Sequence, residues 1–234
     1  MAHGRSTVIV TGAAGNLGRA VVQAFAAQGA NLVLLNRHPE RLADLFGPDG
    51  EQRLSIGVDL LVQNEVDRAV QLAVERFGRV QVLCNLSGGF RMGSPVHETS
   101  DDDLTFLFDI NVRTLVHTVR AVVPHMLASG GGRVVNVAAS AAQRGGANMG
   151  AYSAAKSAVI RLTEAMAAEL REHNINVNCV LPTVIDTPEN RAAMPNADPA
   201  RWVAPRDLAA AIVFLASEDA RAIHGAAIPV TGLS

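Results

Sequence analysis

The 234-residue sequence predicts an α/β fold in which a doubly wound, seven-stranded parallel sheet carries helices on both faces. Short β-rich runs alternate with segments whose apolar residues recur at helical spacing. The β-rich runs are also apolar almost throughout, as in Val8, Ile9 and Val10, which is what a parallel strand covered on both faces requires. We predict strands over residues 7–10, 31–35, 54–58, 80–86, 133–137, 176–181 and 227–230.

The connecting segments are long enough for crossover helices, and the chain length suits one domain over residues 1–234. The first of them places Ala20, Val21, Ala24 and Phe25 on one helical face. One stretch, residues 183–205, is polar and interrupted by prolines. We predict that it is irregular and forms a mobile lid over a substrate.

Composition narrows the classes of partner. Apolar residues make up 49% of the chain, and the formal charge of −2 provides no field that would attract nucleic acid or an anionic membrane. Cys84 and Cys179 lie in apolar runs without metal-ligand spacing, so we predict buried thiols and no metal site. The start of the chain lacks a signal-type pattern and the apolar runs are short for a membrane helix, which predicts a cytoplasmic protein.

A glycine-rich turn follows the first predicted strand and opens the first helix. Gly12, Gly15 and Gly18 flank Asn16 and Leu17 there. Such a turn directs backbone N–H groups and the positive end of a helix at a pyrophosphate. The pattern predicts a dinucleotide site in a Rossmann-like fold, and an ordinary turn without a ligand is the alternative.

The end of the second strand bears on cofactor choice. An acid that binds a ribose 2′-hydroxyl is typical of NAD sites at this position, but the sequence reads Asn36 and Arg37. A guanidinium can pair bidentately with a 2′-phosphate, so we predict a preference for NADP(H), with NAD(H) still possible. The alternative is that Arg37 is a solvated surface charge.

Two more strands end at the same edge of the sheet. Asp59 and Leu60 follow the third strand, and Asp59 is a candidate acceptor for the adenine amino group or, alternatively, a helix cap. The fourth strand ends in a polar and glycine-rich run. That run contributes four further candidate cofactor residues: Asn85, Leu86, Ser87 and Gly88.

Tyr152 and Lys156 carry the predicted chemistry. They are four residues apart at the start of a helical segment and therefore share a face, and Tyr152 is the only tyrosine in the chain. An ammonium group about 5 Å from a phenol stabilises the phenolate by roughly 3 kcal/mol at an effective dielectric of 20. We predict that Lys156 and an oxidised nicotinamide together lower the pKa of Tyr152 and make it a general acid/base.

With these motifs, the sequence from about Ser6 to Gly232 resembles the single-domain branch of the short-chain dehydrogenase/reductase family. The resemblance implies that Tyr152 is the acid/base and that Lys156 holds the nicotinamide ribose. It implies that Asn111 kinks a helix and anchors a proton-relay water, and it assigns the nicotinamide carboxamide to Pro182, Ile185 and Thr187. It also implies assembly as a dimer or tetramer.

The sequence departs from the family pattern at two places. Asn16 stands where this branch usually has its middle glycine, and asparagine tolerates left-handed backbone better than most residues. The catalytic serine is expected 13 residues before the tyrosine, where Ala139 stands; Ser140 is either its replacement or a structural hydroxyl.

The sequence supports three functional hypotheses. An NADP-dependent oxidoreductase acting on a small carbonyl, hydroxyl or quinonoid compound is the leading hypothesis. Residues 181–202 are similar to dihydropteridine reductases, which also lack the serine but favour NADH. A dinucleotide-binding sensor without turnover is the alternative from another functional class.

Overall fold

A computed structural model of the protein describes residues 5–234. Seven parallel strands lie in one sheet in the order β3-β2-β1-β4-β5-β6-β7, which confirms the predicted fold class. The strands are β1 (Thr7–Thr11), β2 (Asn31–Asn36), β3 (Arg53–Gly57), β4 (Val82–Asn85), β5 (Gly132–Val137), β6 (Ile175–Pro182) and β7 (Ala227–Val230).

Helices connect the strands and cover both faces of the sheet. They are α1 (Asn16–Ala27), α2 (Pro39–Phe46), α3 (Gln63–Phe77), α4 (Asp101–Phe108), α5 (Thr114–Ala128), α6 (Gly150–Leu170), α7 (Pro188–Ala193) and α8 (Pro205–Leu215). A π-helical segment, Asp109–Arg113, joins α4 to α5.

The apolar strand residues are shared between two cores. In β1, Val8 and Val10 are buried against α1, α2 and α8, whereas Ile9 is buried on the other face against α3, α5 and α6. Successive side chains of a strand point to opposite faces, so a strand with helices on both sides must be apolar at every position. This is why the strand sequences do not alternate between apolar and polar residues.

The strand order places a crevice beside β1. The chain moves from β1 outward to β2 and β3, then returns to β4 on the other side of β1. Ligands of open α/β sheets bind where the strand order reverses in this way, outside the carboxyl ends of the strands. The ends of β1 and β4 are therefore the expected place for a ligand.

The stretch 183–205 differs from its prediction as an irregular segment. Pro188 is at the start of α7, where Thr187 accepts a hydrogen bond from the backbone N–H of Asn190, and Ile185 bridges to Val203. Proline suits the first turn of a helix because its missing N–H has no partner there, so Pro188 and Pro205 begin α7 and α8, and Pro199 begins a short 3₁₀ turn. Within residues 5–234, the longest connection between strands and α-helices is instead the one from β4 to α4.

The two cysteine thiols lie inside the protein. Cys84 and Cys179 are free and buried, as expected, and burial raises the pKa of both thiols. Among the helices of residues 5–234, none combines the length and apolar character that crossing a membrane demands.

Candidate active site

The glycine turn joins β1 to α1 with tight backbone packing. A Cβ at Gly18 would lie 2.3 Å from the carbonyl oxygen of Gly12, so a larger residue would push the helix away from the turn. Gly15 is the N-cap of α1, and within the described part of the chain no side chain caps this helix. Its first-turn N–H groups remain free to bind an anion.

Asn16 and Leu17 occupy the first turn of α1 but face different surroundings. Leu17 packs against the core on the α1 side of the sheet. The amide of Asn16 donates to Glu189 Oε2 at 2.8 Å, across to α7. The glycine turn is thereby linked to the segment predicted to be a lid.

Thr11, the last residue of β1, is a site residue that the sequence analysis did not identify. Its hydroxyl oxygen accepts hydrogen bonds from the backbone N–H groups of Leu86 at 2.9 Å and Ser87 at 3.1 Å. Thr11 is 1% exposed, so these bonds hold the end of β4 against the glycine turn in a water-free environment. A threonine immediately before the first glycine was the only signal in the sequence.

The ends of β2 and β3 are joined by an ion pair. Arg37 Nη2 lies 3.0 Å from Asp59 Oδ1, and Asp59 also accepts from the backbone N–H of Leu61. Partial burial acts to raise the pKa of Asp59, but these hydrogen bonds and the charge of Arg37 outweigh it and leave the pKa below its ordinary value. Asn36 accepts from the backbone N–H of His38, and Leu60 is buried in the core.

The side chain of Asn85 lies inside the protein. Its Nδ2 donates to Asn136 Oδ1 at 2.9 Å, and its Oδ1 accepts from the hydroxyl of Thr118 at 2.7 Å. Asn136 in turn donates to Thr163 on α6. This buried network joins β4 and β5 to α5 and α6 beneath the carboxyl edge, so Asn85 uses its side chain to hold strands and helices together.

Asn111 lies in the π-helical segment between α4 and α5, where it is 2% exposed. Its Nδ2 donates to the carbonyls of Leu107 at 2.9 Å and Gly89 at 3.0 Å, and its Oδ1 accepts from the N–H of Gly89. An extra residue in a helical turn often marks a functional site. Here the π-helical turn places the Asn111 amide against Gly89, in the segment that follows β4.

Gly88 brings Asn111 and Lys156 together. A Cβ at Gly88 would lie 2.8 Å from Asn111 Oδ1 and 3.1 Å from Lys156 Nζ, so only glycine leaves room for both side chains. Lys156 Nζ donates to the carbonyl of Val137 at the end of β5, at 2.9 Å. Burial lowers its pKa to about 8, an effect that the nearby Cys179 slightly offsets.

Tyr152 lies one helical turn before Lys156 on α6, and the ring of Phe90 packs edge-on against it with centroids 4.9 Å apart. Burial raises the pKa of Tyr152 to about 12. Lys156 donates to Val137 here and loss of hydration favours the neutral phenol, whereas the predicted lowering of this pKa needs an oxidised nicotinamide together with Lys156.

Ala139 and Ser140 follow β5 near the start of α6. The backbone of Ala139 is extended, and Ser140 begins a short 3₁₀ turn. The Ser140 hydroxyl donates its one proton to the carbonyl of Leu181 on β6 at 3.1 Å. In this arrangement the hydroxyl fastens the turn to β6, which is the structural alternative for this residue.

Pro182, Ile185 and Thr187 surround the end of β6. Pro182 is the last residue of that strand and is buried, and Ile185 packs against the core on the α1 side. The Thr187 side chain caps α7. Residues 5–234 contain no cluster of three or more side chains of His, Cys, Asp or Glu that would suit a metal ion.

The open N-terminus of α1, the close backbone approach at Gly18 and the cluster around Gly88 fit a dinucleotide laid along the carboxyl edge. A family model described as short chain dehydrogenase matches residues 6–198. The chain belongs to the short-chain dehydrogenase/reductase family. It is an NAD(P)-dependent oxidoreductase that acts on alcohol or carbonyl substrates.

Three known proteins illustrate the similarity. Sorbitol dehydrogenase of Cereibacter sphaeroides is 34% identical over 77% of this chain and 70% of its own. Subunit BbsD of a (2S)-[(R)-hydroxy(phenyl)methyl]succinyl-CoA dehydrogenase of Thauera aromatica is 31% identical over 96% of this chain and 94% of its own. The structure of 3-ketoacyl-(acyl-carrier-protein) reductase of Brucella melitensis with NADH superposes with a TM-score of 0.86, at 29% identity over 98% of each chain.

Proposed function

We propose that this enzyme prefers NADP(H) and transfers hydride between the nicotinamide and a small carbonyl, hydroxyl or quinonoid compound, with Tyr152 as general acid/base. The proposal is supported by the position of Asn111 Oδ1 and Lys156 Nζ beside Gly88 at the carboxyl edge, and by Tyr152 one helical turn before Lys156 on α6. The bound cofactor would supply or accept the hydride.

The cofactor contacts that we propose follow the edge of the sheet from the glycine turn to the end of β6. The backbone of the turn suits the pyrophosphate, since α1 begins there without a side-chain cap. The proposed residues are Gly12, Gly15, Asn16, Leu17, Gly18, Asn36, Arg37, Asp59, Leu60, Asn85, Leu86, Ser87, Gly88, Tyr152, Lys156, Pro182, Ile185 and Thr187.

The proton chemistry follows from the two buried groups on α6. With a pKa near 12, the Tyr152 phenol holds its proton at neutral pH and is poised to donate it to a substrate oxygen, which suits carbonyl reduction. Alcohol oxidation needs the phenolate, so a positive charge close to the phenol must stabilise it. Lys156 has a pKa of about 8, is mostly protonated at pH 7 and can supply that charge by leaving the Val137 carbonyl.

Asn111 and Ser140 have supporting roles in this proposal. Both amide protons of Asn111 are used by carbonyls, so a relay water can bind only to the remaining lone pair of its Oδ1. The Ser140 hydroxyl can polarise a substrate carbonyl only after it releases the carbonyl of Leu181. Without such a hydroxyl, electrophilic acceptors such as quinonoid compounds are favoured.

The preference for NADP(H) rests on Arg37. Its side chain is 59% exposed at the end of β2, where it can reach a 2′-phosphate, and a guanidinium binds a phosphate bidentately. We further propose that residues 183–205 close over the substrate and that the enzyme assembles as a dimer or tetramer.

The proposal is tested by following oxidation of NADPH and NADH at 340 nm with a panel of ketones, quinones and dihydropterins. We expect turnover with at least one class and a lower KM for NADPH than for NADH. Tight NADPH binding without turnover of any compound would contradict the catalytic proposal and favour a sensor. A lower KM for NADH would contradict the assignment of Arg37.

A further inference from the structure

The connection from β4 to α4 places an aromatic side chain beside the proposed acid/base. The ring of Phe90 meets the ring of Tyr152 at an interplanar angle of 89°. Phe90 nevertheless remains 56% exposed, as does Met92 at 58%. A large apolar surface is therefore open next to the phenol.

Contacts with the start of α6 and with the π-helical segment fix this connection. The N–H of Gly93 donates to the carbonyl of Asn148 at 2.8 Å. A Cβ at Gly150 would lie 2.7 Å from Val96 Cγ2, so the Val96 side chain packs closely against the backbone of Gly150. Gly89 exchanges two hydrogen bonds with the Asn111 amide. Phe90 is thus held on a segment that neighbouring elements support on both sides, which lowers the cost of ordering it when a ligand binds.

The one charged side chain between β4 and Val96 is directed elsewhere. Arg91 lies 2.5 Å from Asp103 and its guanidinium stacks over the ring of Phe106 at 4.1 Å. A cation paired with a carboxylate and stacked on an aromatic ring is poorly available to an anionic or hydroxyl-rich substrate. Phe90 and Met92 therefore offer apolar contact without a free charged side chain on their own segment, while Arg91, Asp103 and Asn148 line a small cavity that also reaches Tyr152.

We infer that Phe90 forms an apolar subsite for an aromatic or alicyclic ring that is attached to the reacting carbon or contains it. The substrate class is then aryl and alicyclic ketones and their secondary alcohols, in preference to polyols and hydroxyketones. This inference rests on the proposed function and leaves its chemistry unchanged: the carbonyl carbon gains the hydride of the reduced cofactor and its oxygen gains the proton of Tyr152. Phe90 orients the ring and takes no proton or electron.

The test compares two pairs of ketones with NADPH: acetophenone and cyclohexanone against dihydroxyacetone and erythrulose. We expect the wild type to favour the first pair in kcat/KM. Phe90→Ala should lower kcat/KM for acetophenone by about 10-fold, because ring stacking and apolar burial are lost, and change erythrulose by less than about 2-fold. The kcat/KM of Phe90→Leu for acetophenone should lie between those of the wild type and Phe90→Ala. Phe214→Ala, at an exposed phenylalanine on α8, serves as the matched control and should change neither ketone.

Equal losses for all four ketones in Phe90→Ala would overturn the inference, because Phe90 would then only support Tyr152. A wild-type preference for erythrulose would also overturn it. If the wild type reduces none of the four, the proposed function fails for these compounds, and calorimetric binding of acetophenone to the complex with NADP then decides the subsite. If Phe90→Ala binds acetophenone more weakly than the wild type and Phe214→Ala does not, the subsite is retained. If Phe90→Ala binds it as tightly as the wild type, the subsite is excluded.

Discussion

At the scale of single residues, the site places two titratable groups where water is scarce. Burial opposes the charged form of each, so the pKa of Tyr152 is high and the pKa of Lys156 is low. Both shifts favour neutral forms and cost stability wherever the group is charged. A buried amine that forms one hydrogen bond, to a carbonyl, is difficult to explain by structural need alone and is typical of a functional site.

Tyr152→Phe removes the acid and keeps the ring that packs against Phe90. We expect kcat to fall by about 10²-fold or more, the scale of a general acid/base, while the dissociation constant for NADPH stays within about 2-fold. Steady-state kinetics and fluorescence titration measure the two quantities. Unchanged kcat would remove Tyr152 from the chemistry.

The lowered pKa of Lys156 should make the free energy of unfolding depend on pH. Folded Lys156 loses its proton near pH 8, but the unfolded chain keeps it to about its ordinary pKa of 10.5. Between these values the unfolded state binds more protons, so raising the pH stabilises the folded state. Relative to Lys156→Met, the wild type should gain up to about 3 kcal/mol in the free energy of unfolding from pH 7 to pH 10.5.

Urea unfolding of both proteins at several pH values checks this prediction. The comparison cancels the other titrating groups, including Tyr152, because both proteins contain them. Methionine cannot make the hydrogen bond to Val137. Loss of that bond shifts the difference in unfolding free energy between the two proteins at every pH, but it has little effect on how that difference changes with pH. Parallel stability curves for the two proteins would show that Lys156 titrates as an exposed lysine does.

At the scale of elements, the site depends on how strand ends are joined. Thr11 connects β1 to β4, Asn85 connects β4 to β5, and Arg37 with Asp59 connects β2 to β3. Each connection lies at the carboxyl edge, where the regular hydrogen bonding of the sheet stops. Side chains there take over the positioning of the loops that form the site.

Thr11→Val tests the connection between β1 and β4. Valine keeps the shape but leaves the N–H groups of Leu86 and Ser87 without their acceptor. We expect a loss of about 1–3 kcal/mol in the free energy of unfolding, and a higher KM for the cofactor. Thr105→Val, at an exposed position of α4, is the control and should be nearly neutral. A neutral Thr11→Val would show that these loops are held by other contacts.

Asp59→Asn tests the connection between β2 and β3. In the wild type a 2′-phosphate must compete with the Asp59 carboxylate for Arg37. Removing that charge while keeping an acceptor for Leu61 should tighten NADPH binding by about 3- to 10-fold and leave NADH nearly unchanged. Arg37→Ala should weaken NADPH binding selectively.

Titration of each cofactor at low and moderate ionic strength measures these effects. Glu65→Gln is a suitable control, because the Glu65 carboxylate accepts from the backbone N–H of Asp59 and lies in the same turn. If Asp59→Asn alters NADPH and NADH binding equally, the ion pair does not select the cofactor.

At the scale of the whole molecule, segments distant in sequence meet at the proposed cofactor site. Asn16 and Glu189 are separated by 173 positions, yet their side chains are hydrogen-bonded at 2.8 Å. This bond joins the glycine turn to α7 and places a carboxylate beside the proposed pyrophosphate position. Hydrogen bonds, including those within its own helix turn, hold the pKa of Glu189 below its ordinary value, so this carboxylate is charged at neutral pH.

Glu189→Ala should therefore tighten cofactor binding by about 3-fold at low salt, because a negative charge near the phosphates is removed. The gain should shrink in 0.5 M NaCl, where charges separated by more than about 4 Å are screened. Glu172→Ala, an exposed acid beyond the far end of α6, should change neither value. A salt-independent gain would point to lid opening as the cause in place of charge.

The sequence by itself determined the fold class, because a strand buried on both faces must be apolar throughout and a crossover helix must carry one apolar face. It also placed the glycine turn before a helix and put Tyr152 and Lys156 on one face of another, since these depend on spacing within one element. These features are local, so short stretches of chain suffice to specify them.

Only the tertiary structure decided which distant groups are partners. The pairing of Arg37 with Asp59, the inward turn of Asn85, the contact of Phe90 with Tyr152 and the bond from Ser140 to Leu181 join different loops, strands and helices. The pKa of Tyr152 also depends on burial, which spacing along a helix does not specify. Hydrogen bonds and hydration depend on distances through space, and packing of the sheet sets those distances.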